Sequence, residues 1–244
     1  MRYLMTFSYD GSKFYGYQKQ PDKPSVQENI ELALTKINSN NFVSISASGR
    51  TDNGVHALNQ KAHFDLDRDI NVDILRNSLN KLTSKYIYIK DIKTVTDDFH
   101  ARFNVIRKKY TYKINLGEYN PIESDYIYQY NKNIDIKKMN IAIKKFEGKH
   151  NFKSFTKPNS EISDYEREIF ETSIVLKDNI LSISFIGSGF MRYMVRNIVG
   201  CLIEIGENKR NIDDIDRLFK CEDRKEAGIK AEACGLYLED VFYF

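Results

Sequence analysis

Residues 49–57 read GRTDNGVHA, and the residue pattern predicts a short strand on either side of them, at 43–48 and 60–66. Two glycines bracket a group of polar and charged side chains, which predicts a tight loop between the two strands. Such a loop can present reactive groups from a rigid sheet. Composition alone favours a simpler interpretation, a polar turn, because Asp-Asn-Gly is common turn chemistry.

The pattern around this loop predicts the order β-α-β-β-α-β for residues 1–104. The strand at 2–9 alternates in polarity, and a loop at 10–24 separates it from a helix. That helix starts after Ser25, because Glu28 stands at the spacing of a capping box. The remaining predicted elements of this half are a helix at 71–82 and a strand at 85–95.

The second half, residues 105–244, predicts a similar alternation of strands and helices. Its predicted elements are strands at 108–116, 169–175 and 180–185, a helix at 136–146, and a helix from Phe190 with one apolar stripe. Two similar halves predict a cleft between them, where sites commonly form. The last helix would carry Arg192 and Arg196 on one face, with space beside Gly200, and one guanidinium against Asp52 would keep that carboxylate ionised.

The composition is that of an ordinary globular protein, with 244 residues, 41% hydrophobic and 29% charged. The longest apolar stretch, 190–205, is interrupted by Arg192, Arg196 and Glu204, which excludes a membrane span. The N-terminus lacks an apolar signal core, so we expect a cytoplasmic protein. Three widely spaced cysteines and four histidines without paired spacing predict neither disulfides nor a metal site.

The net charge of +3 is too small to indicate a nucleic-acid partner, but the segment 102–113 is locally basic. It has no acid, and its aromatic residues alternate with cations, a combination that holds unpaired nucleotides. An edge strand with lysines on its solvent face explains the same pattern, so both interpretations stay open. The cations are Arg102, Arg107, Lys108, Lys109 and Lys113, and the aromatic residues are Phe103, Tyr110 and Tyr112.

Common enzyme motifs are absent from the sequence. It contains no GxxxxGK[ST] phosphate loop, no GxGxxG, no GxSxG and no HExxH. These absences remove the usual signatures of nucleotide hydrolysis, dinucleotide redox chemistry and zinc catalysis. The candidate that remains is a carboxylate, Asp52, two residues after Arg50.

Eight segments spread over the chain resemble the tRNA pseudouridine synthase A (TruA) family. GRTDNGVHA is the most specific of them. The segments are YDGSKFYGYQKQ at 9–20, SVQENIELAL at 25–34, GRTDNGVHA at 49–57, FHARFN at 99–104, KKYTYKI at 108–114, GKHNFKSF at 148–155, GFMRYMVRNIVG at 189–200 and DRKEAGIKAEACGLYLEDVFY at 223–243.

The resemblance implies an α+β protein with two packed, pseudo-symmetric α/β subdomains, whose mainly antiparallel sheets form a central cleft (the pseudouridine synthase fold). The subdomains would be 1–104 and 105–244. It further implies a homodimer without cofactor or metal. The implied reaction is the isomerisation of uridine to pseudouridine in tRNA, at positions 38–40 of the anticodon stem-loop.

The resemblance also implies a role for individual residues. Asp52 corresponds to the catalytic aspartate, and Arg50 to an arginine that helps to displace the target base. Tyr110 corresponds to the aromatic residue that stacks on the uracil, and Arg196 to the partner of the aspartate. Met191 stands where the family usually has leucine and would form the pocket floor.

Four further residues are expected to contact RNA, each with a simpler alternative. Lys19 and Gln20 would contact RNA or be solvated loop residues. Arg192 would bind a phosphate or lie in an interface. His56 would contact the substrate or only hold the loop.

The chemistry agrees with these assignments. Breaking the N1–C1′ bond and rejoining the base through C5 needs a group that attacks or deprotonates the ribose, and a pocket that keeps the base. Glycosidases use two carboxylates and water, but no second carboxylate adjoins Asp52 in sequence. An apolar floor at Met191 would help to exclude water.

Three alternatives remain open. Asn151, Lys230 and Glu232 depart from the family pattern, so the chain would be a specialised paralogue acting on ribosomal or another structured RNA. A non-catalytic RNA-binding or chaperone protein is the second alternative. A nucleoside hydrolase, marked by release of free uracil, is the third.

Overall fold

Residues from two separated parts of the sequence form the first of two units in the computed structural model, which describes residues 1–158 and 163–243. This unit comprises Met1–Ile106 and the residues from Tyr237 onward, and the second comprises Arg107–Leu236. This division differs from the expected subdomain of 105–244, which included the C-terminal strand. The first unit includes the C-terminal strand from Tyr237 onward, where Tyr237 and Leu238 pair with a strand of this unit.

The first unit confirms the order β-α-β-β-α-β that the sequence predicts for residues 1–104. Its sheet has the order β4-β1-β3-β10, with β2 paired to β3. β1 is antiparallel to both neighbours, whereas β10 is parallel to β3 through Tyr237 beside His56. The elements are β1 (Arg2–Tyr9), α1 (Val26–Ile37), β2 (Ser46–Ala47), β3 (His56–Asp65), α2 (Val72–Leu82), β4 (Ile87–Val95) and β10 (Leu236–Phe242).

The helix starts of this unit follow from their capping residues. The Ser25 hydroxyl accepts the Glu28 N–H at 3.2 Å, which confirms the predicted start of α1. The Asn71 side chain caps α2 in the same way. The strand prediction at 43–48 is too long, because only Ser46 and Ala47 pair with β3.

The second unit is built on an antiparallel sheet of order β5-β9-β8-β7, with β6 parallel to β5. Its strands β6 and β7 and its helix α5 were not predicted from the sequence. The elements are β5 (Arg107–Asn115), β6 (Tyr128–Gln129), α3 (Ile136–Lys144), β7 (Gly148–Asn151), β8 (Glu166–Lys177), β9 (Ile180–Gly187), α4 (Met194–Gly206) and α5 (Asp214–Cys221).

Helix α4 differs from its prediction in two respects. It begins at Met194 and not at Phe190, because Tyr193 has a left-handed backbone with φ 67°. It is also buried on almost every side, rather than along one stripe. Its polar Asn197 is paired inside the unit, where it donates to the Phe155 carbonyl at 2.6 Å and accepts from Arg224 at 2.8 Å.

The β5 strand has neighbours on both sides at its C-terminal end. Ile114 pairs with β9 on one side and with β6 on the other. The Lys113 N–H binds the Gly235 carbonyl at 2.8 Å. The edge-strand interpretation of the basic segment therefore does not hold for this end of β5. Among the described residues, no helix is long and apolar enough to cross a bilayer.

A buried histidine on β3 makes the stability of the protein depend on pH. Burial lowers the pKa of His63 from 6.5 to about 4, and His100 adds to the effect. Its Nδ1 accepts the Ala101 N–H at 3.1 Å. Between pH 6.5 and 4 the unfolded chain binds a proton at His63 that the folded chain does not. The contribution of neutral His63 to the free energy of unfolding is therefore complete above pH 6.5 and decreases as the pH falls through this range.

We expect the melting temperature to fall more between pH 7.5 and pH 5 in the wild type than in His63→Gln. The difference should be at least about 2 °C, since a change of about 1 kcal/mol in the free energy of unfolding shifts the Tm of a chain of this size by a few degrees. Carboxylates titrate in both proteins, so their contribution cancels. Calorimetry at the two pH values measures the difference, and identical pH dependence in the two proteins would contradict the assignment.

Candidate functional site

The loop before β3 carries Asp52 at its tip. The Val55 N–H binds the Asp52 carbonyl at 3.1 Å and closes a turn. Gly54 has φ 79°, a conformation that favours glycine. Asp52 is half-buried, whereas Arg50 is exposed. The sequence therefore places a carboxylate and a guanidinium on a short, closed loop.

Hydrogen bonds of buried polar side chains hold this loop in place. Gln60 is fully buried, and its Nε2 donates to the Gly49 carbonyl at 3.0 Å. The Ser48 hydroxyl donates to Gln60 Oε1 at 2.6 Å. The hydroxyls of Tyr9 and Thr51 lie 2.8 Å apart, and burial raises the pKa of Tyr9 to about 12, so its phenol keeps its proton. The backbone is thus fixed on both sides of Arg50.

Two glycines let the segment after β1 approach the loop closely. A Cβ added at Gly11 would lie 2.0 Å from the Val55 carbonyl oxygen. Gly16 has φ 96°, and a Cβ there would lie 3.2 Å from the Thr51 carbonyl oxygen. The Tyr17 N–H also binds that Thr51 carbonyl, at 3.1 Å. The loop therefore packs directly against the backbone of Gly11 and Gly16, where there is no space for a side chain.

His56 holds the loop from its C-terminal side. It is 2% exposed, and its ring stacks on Tyr237 of β10 with centroids 4.8 Å apart. Its Nδ1 accepts the Gly11 N–H at 3.1 Å. Asp10 lies 3.5 Å from the same nitrogen, but an ion pair there needs a proton on Nδ1, which the Gly11 bond excludes. This burial supports the loop-holding interpretation of His56.

Tyr17 contacts both the loop and α1 through its backbone, which binds the Thr51 carbonyl and the Gln27 N–H, and the sequence did not predict it as part of the site. Its hydroxyl is buried and has no hydrogen-bond partner among residues 1–158 and 163–243. Burial raises the pKa of Tyr17 well above 10, and the charge of Arg50 acts in the opposite direction. The sequence does contain a signal for this part of the site, since Tyr9, Gly11 and Tyr17 all belong to the segment 9–20 that resembles the family.

Lys19 and Gln20 lie on the surface of the loop after β1. Gln20 donates to the Tyr15 carbonyl at 2.8 Å, and the Lys19 ammonium lies 3.5 Å from a Glu28 oxygen. Both side chains are exposed. Their predicted contact with RNA stays a prediction.

In the second unit, Tyr110 is the central aromatic residue of the predicted site. It lies on β5 opposite Phe185 of β9 and is 8% exposed. Phe190 packs edge-on against it, with centroids 5.1 Å apart and an interplanar angle of 75°. Met191, the predicted pocket floor, follows Phe190 and is 9% exposed. The unit therefore places an aromatic ring and two apolar side chains on neighbouring segments.

The predicted pair of arginines on one helix face is wrong. Arg192 lies in the turn before α4 and is exposed, since the helix begins only at Met194. Its carbonyl accepts from Lys157 N–H and from the Thr156 hydroxyl, which fixes the turn. Arg192 thus belongs to the turn and Arg196 to α4, so the two arginines do not share a helix face.

Arg196 lies in the first turn of α4 and is 7% exposed. Its Nε donates to the Ala231 carbonyl at 2.7 Å, and the Ala231 N–H binds the Arg196 carbonyl at 3.1 Å. Gly200 makes this approach possible, because a Cβ there would lie 2.0 Å from the Ile229 carbonyl oxygen. The space beside Gly200 thus holds the chain's own 229–231 segment, which orients the guanidinium.

Three cations lie close to the ring of Tyr193, an arrangement that the sequence did not predict. The Lys230 ammonium lies 4.1 Å from the ring centroid, and the guanidinium carbons of Arg192 and Arg196 lie at 5.0 and 5.7 Å. Lys230 is one of the departures from the family pattern. It adds positive charge beside Arg196.

The other two departures from the family pattern, Asn151 and Glu232, form hydrogen bonds within the second unit. Asn151 donates to Glu222 at 2.8 Å, where an aspartate would repel the carboxylate. The backbone carbonyl of Glu232 accepts the Tyr112 hydroxyl at 2.8 Å. Within residues 1–158 and 163–243, no three His, Cys, Asp or Glu side chains are grouped as a metal site requires.

Comparison with known proteins identifies the family. A family model described as tRNA pseudouridine synthase matches residues 5–104 and 142–243. A tRNA pseudouridine synthase A from Latilactobacillus sakei subsp. sakei is 38% identical over 245 residues, covering 99% of this chain and 98% of the relative. Proteins of the same name from a Geobacillus strain and from Streptococcus pneumoniae are each 39% identical with the same coverage.

A solved structure, the Cbf5-Nop10-Gar1 complex, includes a chain that aligns with a TM-score of 0.33 and 10% identity, over 82% of this chain and 54% of that one. This likeness is too weak to carry an argument. The sequence relatives extend over the whole chain, and the family model includes both the Asp52 loop and the Arg196 helix. The chain therefore belongs to the tRNA pseudouridine synthase A (TruA) family, as the sequence motifs predicted.

Proposed function

We propose that this protein isomerises uridine to pseudouridine in tRNA, with Asp52 as the reactive carboxylate. The observation that carries the proposal is the loop of 49–55, which is held in place by Gln60, by Gly11 and by His56 at the start of β3. A reactive group needs such support, because small misplacements cost large factors in rate. Family membership supplies the reaction and the RNA class.

The reaction rearranges one nucleotide and consumes no other reactant. The N1–C1′ bond breaks, the uracil turns, and a C5–C1′ bond forms, while the proton at C5 is lost and N1 gains one. Asp52 acts as nucleophile at the sugar carbon or as base at the 2′ position. Both routes need an ionised carboxylate.

Arg196 is proposed as the charge partner of Asp52. Its Nε is bound to the Ala231 carbonyl, so the guanidinium is oriented before substrate arrives. Arginine pairs with carboxylates through two parallel hydrogen bonds, and such a pair favours the ionised form. Arg50 is proposed to help displace the target base.

Tyr110 and Met191 are proposed to hold the uracil after the bond to the sugar has broken. An aromatic face stacks on any base, and an apolar floor excludes the water that would end the reaction as hydrolysis. Phe190 supports the Tyr110 ring edge-on, which keeps the ring in place. Arg192, Lys19 and Gln20 are proposed as RNA contacts.

The finer proposals concern the RNA and the state of the protein. The target is proposed to be positions 38–40 of the tRNA anticodon stem-loop, and the enzyme to act as a cytoplasmic homodimer without cofactor. Lys108 and Lys109 follow the exposed Arg107 at the start of β5, and these cations support phosphate binding.

Mass mapping of pseudouridine tests the proposal directly. We expect purified protein, incubated with unmodified bulk tRNA and rRNA, to introduce pseudouridine into the tRNA anticodon stem-loop and not into rRNA. Product in rRNA alone would favour the paralogue alternative. Binding without product would favour a chaperone, and free uracil would mark a hydrolase.

A further inference from the structure

The turn that follows β4, residues 99–104, displays an aromatic ring on the surface of the first unit. Phe103 is 74% exposed. Its ring stacks on the His100 imidazole, with centroids 4.2 Å apart and an interplanar angle of 30°. The guanidinium carbon of Arg102 lies 5.8 Å from the Phe103 centroid. The planar groups of His100, Arg102 and Phe103 thus lie together on one exposed turn.

Hydrogen bonds inside the turn hold this arrangement. His100 Nδ1 accepts the N–H groups of Arg102 and Phe103 at 3.1 and 3.4 Å. Asn104 Oδ1 accepts the His100 N–H at 2.6 Å, and the Asn104 N–H binds the His100 carbonyl at 3.0 Å. The backbone of the turn and the His100 imidazole, on which Phe103 stacks, are therefore held in place before any partner binds, which lowers the entropy lost on binding.

The base of the turn is anchored in the core of the unit. The His63 ring packs edge-on against His100, with centroids 4.6 Å apart, and His63 Nδ1 accepts the Ala101 N–H. The Tyr243 hydroxyl donates to the Ala101 carbonyl at 2.7 Å, and its ring packs edge-on against Phe99. These contacts fix the base of the turn that exposes Phe103.

The turn is remote from Asp52. His63 contacts it, and His63 stands seven residues after His56 on β3. At about 3.3 Å per residue the turn is roughly 23 Å along the strand from the reactive loop. It therefore does not form part of the pocket for the reacting uracil.

The chemistry of the turn favours a nucleobase as its ligand. Aromatic rings, imidazoles and guanidinium planes all stack on unpaired bases. Net positive charge is not the main attraction, because Asp97 and Asp98 immediately precede the turn and both are exposed. An exposed ring stacked on an imidazole and beside a guanidinium therefore fits a flat, polar base better than a phosphate.

We propose that the 99–104 turn is a second RNA-docking site, at which an unpaired base of the tRNA stacks on Phe103. The inference rests on the proposed function, since it takes tRNA as the ligand. It deepens that function by naming a contact outside the reaction pocket. The contact increases affinity for RNA and takes no part in the chemical step.

The test compares tRNA affinity between variants of Phe103 at several salt concentrations. We expect Phe103→Ala to raise Kd about 5- to 100-fold, the effect of losing one stacked base. Phe103→Leu should weaken binding similarly, because it keeps apolar volume without a ring. Phe103→Trp should restore it. The matched control is Phe42→Ala, since Phe42 is 71% exposed in the same unit and should leave Kd unchanged.

The salt dependence separates stacking from phosphate binding. Stacking releases no counterions, so Phe103→Ala should shift log Kd equally at every salt concentration. Arg107→Ala is the comparison, because the exposed Arg107 lies among the cations that support phosphate binding, and loss of a phosphate contact reduces the salt slope by about one. A reduced slope in Phe103→Ala would overturn the stacking assignment.

Three further outcomes would overturn the inference. These are unchanged affinity in Phe103→Ala, full affinity in Phe103→Leu, and dissociation of an oligomer in Phe103→Ala, which would assign the ring to a second copy of the chain. Mapping of pseudouridine by the wild type keeps the two proposals separate. Product from the wild type with unchanged binding by Phe103→Ala rejects only the docking site, and weakened binding without wild-type product rejects only the enzyme.

Discussion

Asp52→Asn is expected to lower the single-turnover rate of pseudouridine formation by roughly 10⁴-fold or more, the scale seen when a central catalytic group is removed. Asparagine keeps the shape of aspartate, but its amide is neither a nucleophile nor a base. Asp52 lies half-buried, asparagine leaves its backbone bond to Val55 in place, and Gln60 and His56 also hold the segment. The variant should therefore fold normally and keep its affinity for tRNA.

Three measurements separate chemistry from folding and binding in this variant. Product is quantified by mass spectrometry on unmodified tRNA, Kd by titration, and Tm by calorimetry. The matched control is Asp91→Asn, which neutralises an exposed carboxylate on β4 of the same unit. Product formation by Asp52→Asn within tenfold of the wild type would exclude Asp52 as the reactive group.

Gly11→Ala is expected to lower kcat by about 100-fold, the cost of a displacement of about 1 Å at a reactive group. The added Cβ would lie 2.0 Å from the Val55 carbonyl oxygen and 2.4 Å from its carbon. Backbone atoms cannot rotate away, so the turn from Asp52 to Val55 must move. The Gly11 bond to His56 Nδ1 would weaken at the same time.

The effect of Gly11→Ala should be larger on activity than on folding. Rates are measured well below the melting temperature, so that partial unfolding does not contribute. Gly189→Ala is the control for Tm, because a Cβ there meets no atom within 4 Å. A wild-type kcat for Gly11→Ala would show that Asp52 does not depend on this close approach.

Much of the first unit could be predicted from its sequence because its signals are local. Ser25 and Glu28 stand three residues apart and form the predicted cap. The loop at 49–57 could be predicted from the strand patterns on either side of it. The reactive role of Asp52 came from the family motif, since composition does not distinguish Asp-Asn-Gly in a site from the same residues in a turn.

The remaining features depend on contacts between distant residues or on unusual backbone geometry. Tyr193 has φ 67°, which a non-glycine residue rarely adopts, so no pattern marks it as the point where α4 must begin. Arg192 was misplaced for that reason. The close approach of Ile229 to Gly200 and the pairing of Tyr237 with β3 also have no local signal.

The parallel pairing of β10 with β3 has a consequence for synthesis on the ribosome. Tyr237, which stacks on His56, is translated only after all of 107–236. Domains generally fold from the N-terminus as they emerge, but this unit lacks one of its own strands until the second has been made. A nascent chain thus carries an incompletely supported Asp52 loop, and full support of that loop is tied to translation beyond Tyr237.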